Sequence, residues 1–202
     1  AAGELFSGLA SAGGHWYQKD GTPAYEITGK NGKQRAVTLR DARQLGLVPG
    51  FSSIAQLEHK PALERWKINQ AYLACLTLPP RPGETLEEFR DRAEADAGAQ
   101  AEQARNRGVD LHAAVEAWYQ TGAVSPANAP FVMPVVEWLA NNCHGAQWQP
   151  ERSFACKEGY GGKIDLYAPG IVIDLKFKDF DDPDKIRGYD EHEMQLAAYA
   201  HG

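Results

Sequence analysis

The sequence predicts an α/β fold with a mixed central sheet flanked by helices, and three observations lead there. Helical periodicity dominates from Ser52 to Ala140, three short β-prone runs follow between Gln147 and Lys178, and a last helical pattern closes the chain. With 202 residues and 43% hydrophobic content, the chain can bury one sizeable core.

The first fifty residues carry turn formers, with Asp20-Gly21 and Asn31-Gly32 marking a short hairpin or irregular extension around His15-Trp16-Tyr17. From Ser52 to Leu76, Ile54, Leu57, Leu63, Trp66, Ile68, Tyr72 and Leu73 fit helical segments interrupted near Pro61. Pro79-Pro80-Arg81-Pro82-Gly83 is a break, so residues 1–83 are expected as an N-terminal extension and helical subdomain and 84–202 as the core. Thr85 and Glu88 form a capping-box pattern. The helix it opens is expected to run, with an interruption at Gly98, through Gly108 to Tyr119, and another spans Phe131 to Ala140.

The grammar then changes. Gln147 to Lys157, Lys163 to Tyr167 and Ile171 to Lys178 read as sequential strands of an antiparallel meander, and a helix carrying Met194, Leu196, Ala197 and Ala198 follows a loop. The three cysteines, Cys75, Cys143 and Cys156, are widely spaced and never in a C-x-x-C pair, which disfavours disulfides, structural zinc and an iron–sulfur cluster and predicts free, mostly buried thiols. No apolar run is long enough to span a bilayer and no secretory signal pattern opens the chain, so no membrane partner is expected and an intracellular, cytoplasmic setting is. The net charge of −6 argues against a nucleic-acid binder, since such proteins usually present a basic surface to phosphates. Basic residues nonetheless outnumber acidic ones between Gly21 and Gln70, a stretch that could face phosphates.

The chemistry concentrates in Ile171-Val-Ile-Asp-Leu-Lys176, an apolar run ending in an acid and a lysine two residues apart. Period two puts Asp174 and Lys176 on one side of a strand, and burying both ions costs several kcal/mol unless something compensates. Leu175 points the other way, yet its carbonyl can face the same site. Asp165 sits on the preceding strand, and the tight Ala168-Pro-Gly170 turn brings it toward Asp174. Two adjacent carboxylates repel unless one is protonated or a cation joins them, for which Mg²⁺ or Mn²⁺ is the natural choice. A lysine beside them can orient or deprotonate an attacking water and stabilise charge on a phosphorus centre. A solvated edge-strand ion pair is the plain alternative for Asp174 and Lys176, and a turn acid for Asp165.

Gly162-x-x-Asp165 followed by Asp174-x-Lys176 resembles the PD-(D/E)XK nuclease signature. Gly108-Val-Asp-Leu-His112-x-x-x-Glu116 and Gln195-Leu-Ala-Ala-Tyr199 resemble the helical motifs of the RecB-type exonuclease branch, and Val48-Pro-Gly-Phe-Ser-Ser-Ile54 with Leu63-Glu-Arg-Trp-Lys67 is similar to the opening segment of the mitochondrial genome maintenance exonuclease and its phage-encoded relatives. The resemblance implies a restriction-endonuclease-like core with an N-terminal helical extension. It implies that His112, Asp165, Asp174 and the Leu175 carbonyl bind Mg²⁺ or Mn²⁺, that Lys176 is catalytic, and that Gln195 and Tyr199 support the site or the DNA. Glu116 and Glu151 are further candidates for support.

The implied activity is metal-dependent hydrolysis of DNA, as an exonuclease working from single-stranded or duplex ends in recombination, repair or phage replication. A structure-selective endonuclease and a non-catalytic DNA-binding module are the alternatives that the same scaffold allows. Phe177 stands where many relatives carry threonine, the cluster-binding cysteines of some relatives are missing, and a chain shortened after Gly202 is expected. Trp16, Tyr17, Trp66, Trp118, Trp138 and Trp148 are expected mainly in packing, with stacking on single-stranded bases as the alternative.

Overall fold

The computed structural model describes residues 14–55, 61–178 and 188–202, with Phe180, Asp182, Asp184 and Ile186 between the last two stretches. The expectation for Leu57 falls outside the described residues.

The fold is mixed α and β. The chain divides into two compact units, one made of Ala1–Glu58 with His112–Gly202 and the other of His59–Leu111. Neither limit coincides with the expected boundary at Gly83.

The first unit opens with β1 (Trp16–Tyr17), β2 (Glu26–Thr28), β3 (Gln34–Ala36), α1 (Leu39–Leu45), β4 (Val48–Pro49) and α2 (Phe51–Ala55). The β2–β3 hairpin turns at Asn31-Gly32, where the Lys33 amide donates to Asn31 Oδ1 at 3.1 Å and Gly32 adopts φ 74°. Thr38 caps α1 in a full capping box with Asp41, and Gly46 ends it in the left-handed conformation at φ 66°. Trp16, Val37, Ala42 and Leu47 form a small core around these pieces. Because β1 pairs with β4, its partner lies far along the chain, and a two-residue strand carries no periodicity that could reveal the pairing.

The second unit holds α3 (Pro61–Thr77) and the first part of α4 (Leu86–Thr121). The α4 helix begins where the capping box places it, with the Thr85 amide donating to Glu88 Oε2 at 2.8 Å and the Glu88 amide to Thr85 Oγ1 at 3.3 Å. It continues through Gly98 without the expected interruption. Each mid-helix glycine costs roughly 0.5–1 kcal/mol, and the surrounding alanines, the best helix formers, offset it. Arg92 grips both carboxylate oxygens of Glu84 at 2.8 Å and the Pro79 carbonyl at 3.0 Å, tying the loop between the helices to α4. That guanidinium holds the Glu84 carboxyl down at about 2.

The first unit resumes within α4 and adds α5 (Ala129–Asn142), β5 (Gln149–Cys156), β6 (Tyr160–Ala168), β7 (Ile171–Ile173) and α6 (Asp190–His201). Leu166 joins Val115 of α4 and Val132 and Leu139 of α5 in the main core, with Trp118, Trp148, Ile173, Leu175 and Phe177 packed around it. Strands β5, β6 and β7 form the expected meander. The expected mixed sheet is not what forms: the named strands pair antiparallel in small sheets, and the one parallel pairing among the described residues is the isolated Gly50–Gly161 bridge. Short turns at Gly159 and Gly170 allow only antiparallel neighbours, since a parallel partner needs a long crossover. The third strand also stops at Ile173, short of the expected Lys178.

Cys143 and Cys156 are half-buried and Cys75 is exposed, so the expectation of mostly buried thiols is corrected. Trp66 and Trp138 are exposed while Trp16 and Tyr17 are buried. No helix among the described residues is long and apolar enough to cross a membrane.

Side-chain-free positions decide how the first unit closes. A Cβ on Gly161 would lie 2.8 Å from Tyr17 Cγ and 2.9 Å from the Phe154 carbonyl oxygen, whereas one on Gly98 meets nothing within 4 Å. Gly161→Ala is expected to destabilise the protein by about 1–3 kcal/mol through overpacking. Gly98→Ala should stabilise it by roughly 0.5–1 kcal/mol. Chemical denaturation of the two variants beside the parent measures both, and equal shifts of the same sign would contradict the assignment.

Candidate functional site

The β6–β7 ladder pairs Leu166 with Ile173 and Tyr167 with Val172, and continuing that register by one step sets Asp165 opposite Asp174. The two carboxylates therefore come from facing positions on neighbouring strands. Asp165 Oδ2 accepts the Leu175 amide at 2.6 Å, a bond that fixes the chain where it leaves β7. His112, in α4, brings Nδ1 to 3.4 Å from the same oxygen. Its ring stands edge-on to Phe177, with centroids 5.3 Å apart, so Phe177 serves as a wall for the imidazole.

Asp174 is the most covered acid of the group, with its side chain 6% exposed. Lys176 Nζ contacts Asp174 Oδ2 at 2.5 Å, and Gln195 Nε2, from α6, donates to Oδ1 at 3.0 Å. Gln195 Nε2 also lies 2.8 Å from the Tyr199 hydroxyl, one helical turn further on. Burial pushes the Asp174 carboxyl above the ordinary carboxylate range against the pull of Lys176, and the charge on Asp165 adds to the rise. Burial likewise pushes the Tyr199 hydroxyl up to about 12. His192, at the start of α6, is lowered by burial and by the nearby Lys178 and Lys176 charges.

The site residues expected from the sequence fall into three groups. His112, Asp165 and the Leu175 backbone meet directly, and Asp174, Lys176, Gln195 and Tyr199 form a second connected set. Glu116 stands apart from both sets, its carboxylate taking a hydrogen bond from Gln120 on its own helix. Glu151 contacts Lys163. Lys163 is the residue sequence reading passed over, although its place two positions before Asp165 on β6 was the available signal.

Among the described residues, no three His, Cys, Asp or Glu side chains are gathered into an assembled metal centre. The donor types nevertheless suit a divalent cation: an imidazole and two carboxylates, one of them raised in pKa by burial. Asp174 would have to turn from Lys176 to share an ion with Asp165 and His112. Comparisons with protein-family models, with curated proteins and with solved structures return no match to this chain.

A carboxyl raised above its unfolded pKa binds its proton more tightly in the folded state. Its ionisation therefore costs stability, a cost that grows as pH rises from the unfolded value and is complete above the folded one. Asp174→Asn should consequently raise the melting temperature of metal-free protein at neutral pH, and the gain should shrink toward zero as the pH is lowered into the carboxylate range. A variant less stable than the parent at neutral pH would show that the Lys176 pairing outweighs burial.

Proposed function

We propose that this chain is a divalent-metal-dependent deoxyribonuclease with a restriction-endonuclease-like core, acting as an exonuclease on DNA ends. The observation that carries the reading is the facing pair Asp165 and Asp174 with Lys176 bonded to the buried member and His112 against the other. Such a set concentrates negative charge, one cation and one imidazole within a few residues of a strand end, which is what a phosphodiester and its attacking water require.

In this reading His112, Asp165, Asp174 and the Leu175 carbonyl would hold Mg²⁺ or Mn²⁺, which when bound supplies charge stabilisation at the phosphate. Lys176, as an ammonium, orients the attacking water by donating a hydrogen bond to its oxygen and faces the negative charge that develops on phosphorus. Gln195 holds Asp174 by its Oδ1 atom and so limits how that carboxylate turns. Tyr199 in turn props Gln195 through its hydroxyl.

Purified protein with Mn²⁺ should release label from end-labelled linear DNA, and Asp174→Ala and Lys176→Ala should each lower the rate on the order of 10²–10³-fold. Closed circular DNA added to the same tubes reads the mode of attack. Cutting of the circle would redirect the reading to an endonuclease, and untouched linear and circular substrates would sink the enzyme claim.

A further inference from the structure

Lys163 lies two residues before Asp165 on β6, where Ile164, Leu166 and Ala168 are buried and the alternating Lys163, Asp165 and Tyr167 are not. Period two therefore puts the lysine on the same side of the strand as the carboxylate, about 6–7 Å further along. That step is comparable with the spacing of successive phosphates in a nucleic-acid strand. Glu151 occupies the β5 position that the register sets opposite Asp165, between the pairs Pro150–Leu166 and Arg152–Ile164. Its carboxylate contacts the Lys163 ammonium, and the side chains are 22% and 40% exposed.

The backbone under Glu151 is unusual. It has φ 55°, the one left-handed non-glycine residue among those described. A branched-at-nothing but Cβ-bearing side chain there costs roughly 1–2 kcal/mol that glycine would avoid. The strained residue faces Asp165 across the ladder, and Lys163 is its diagonal neighbour on the same side of the sheet, so the ion pair joins residues that alternation places together.

We propose that Lys163 is a substrate-binding residue that takes the DNA phosphate next to the scissile one, and that Glu151 is a positioning residue that parks its ammonium until the strand arrives. The inference rests on the nuclease reading of the adjoining site. Binding exchanges one anionic partner of Lys163 for another: the phosphate replaces the carboxylate at the ammonium, and Glu151 swings to water from its partly covered place. The glutamate thus opposes binding while it remains charged, and the lysine favours it.

The test is binding of a fluorescent single-stranded oligonucleotide without divalent metal, across a series of salt concentrations, together with cleavage by the parent protein in Mn²⁺. Lys163→Gln should weaken binding about tenfold, the value of one charged hydrogen bond, and reduce the magnitude of the slope of log affinity against log salt by about 0.7. Lys163→Arg keeps the charge and should restore both. Glu151→Gln should tighten binding several-fold. If the parent binds and cuts DNA but Lys163→Gln matches it in affinity and slope, the inference falls and the nuclease reading stands. Binding unchanged or weakened in Glu151→Gln removes the role given to the glutamate, even where Lys163→Gln is too unstable to measure. A parent protein that neither binds nor cuts DNA brings down both.

Discussion

The N-terminal segment and the last helix of the first unit meet at two consecutive positions of β6 that lack side chains. Gly161 lets the Tyr17 ring lie directly on the strand and allows the Gly50 backbone to pair beside it. Gly162 makes the same room for the rings of Tyr199 and Phe154. One bare stretch of backbone thereby receives the N-terminal segment and the last helix together. The Tyr160 hydroxyl, donating to the Ala198 carbonyl at 3.0 Å, ties that helix down again one residue earlier. Three residues beyond the second glycine stands Asp165, and Gln195, one turn before Tyr199, reaches Asp174. The packing contact and the polar site are two parts of a single docking of α6.

The polar contacts have a shared logic. Asp165 is satisfied by backbone, through the Leu175 amide, and Asp174 by side chains, through Lys176 and Gln195. Backbone cannot be moved without disturbing the strand, whereas a lysine and a glutamine can rotate. The two carboxylates are therefore unequal: one is fixed and the other is held by flexible partners in a buried place where its charge is costly. Functional sites commonly carry such a departure from what stability alone would choose.

Local signals were readable in the sequence and distant ones were not. The Thr85 and Glu88 cap, the Asn31-Gly32 hairpin and the meander from Gln149 to Ile173 each depend on residues within a few positions of one another, and each is found where its pattern lies. Pairing of β1 with β4, and the grouping of the first segment with residues beyond His112, depend on contacts between chain segments far apart, and short strands leave no periodic trace of them. In the site, alternation was enough to bring Asp165, Asp174 and Lys176 together as candidates. It could not reveal that Asp174 turns to Lys176 and Gln195 rather than to His112, which is decided by rotamers and burial. Glu151 was a candidate from its place on the first strand, but its left-handed backbone and its contact with Lys163 leave no trace in the pattern.

The unpaired thiols give the molecule an unplanned set of chemical addresses. Cys75 is exposed on α3 in the second unit, while Cys143 and Cys156 are half-covered in the first. Alkylating reagents follow access, so brief treatment would mark α3 ahead of the rest. A reporter dye placed that way sits on α3 in the second unit, and the labelled helix can be watched without altering a residue of the first.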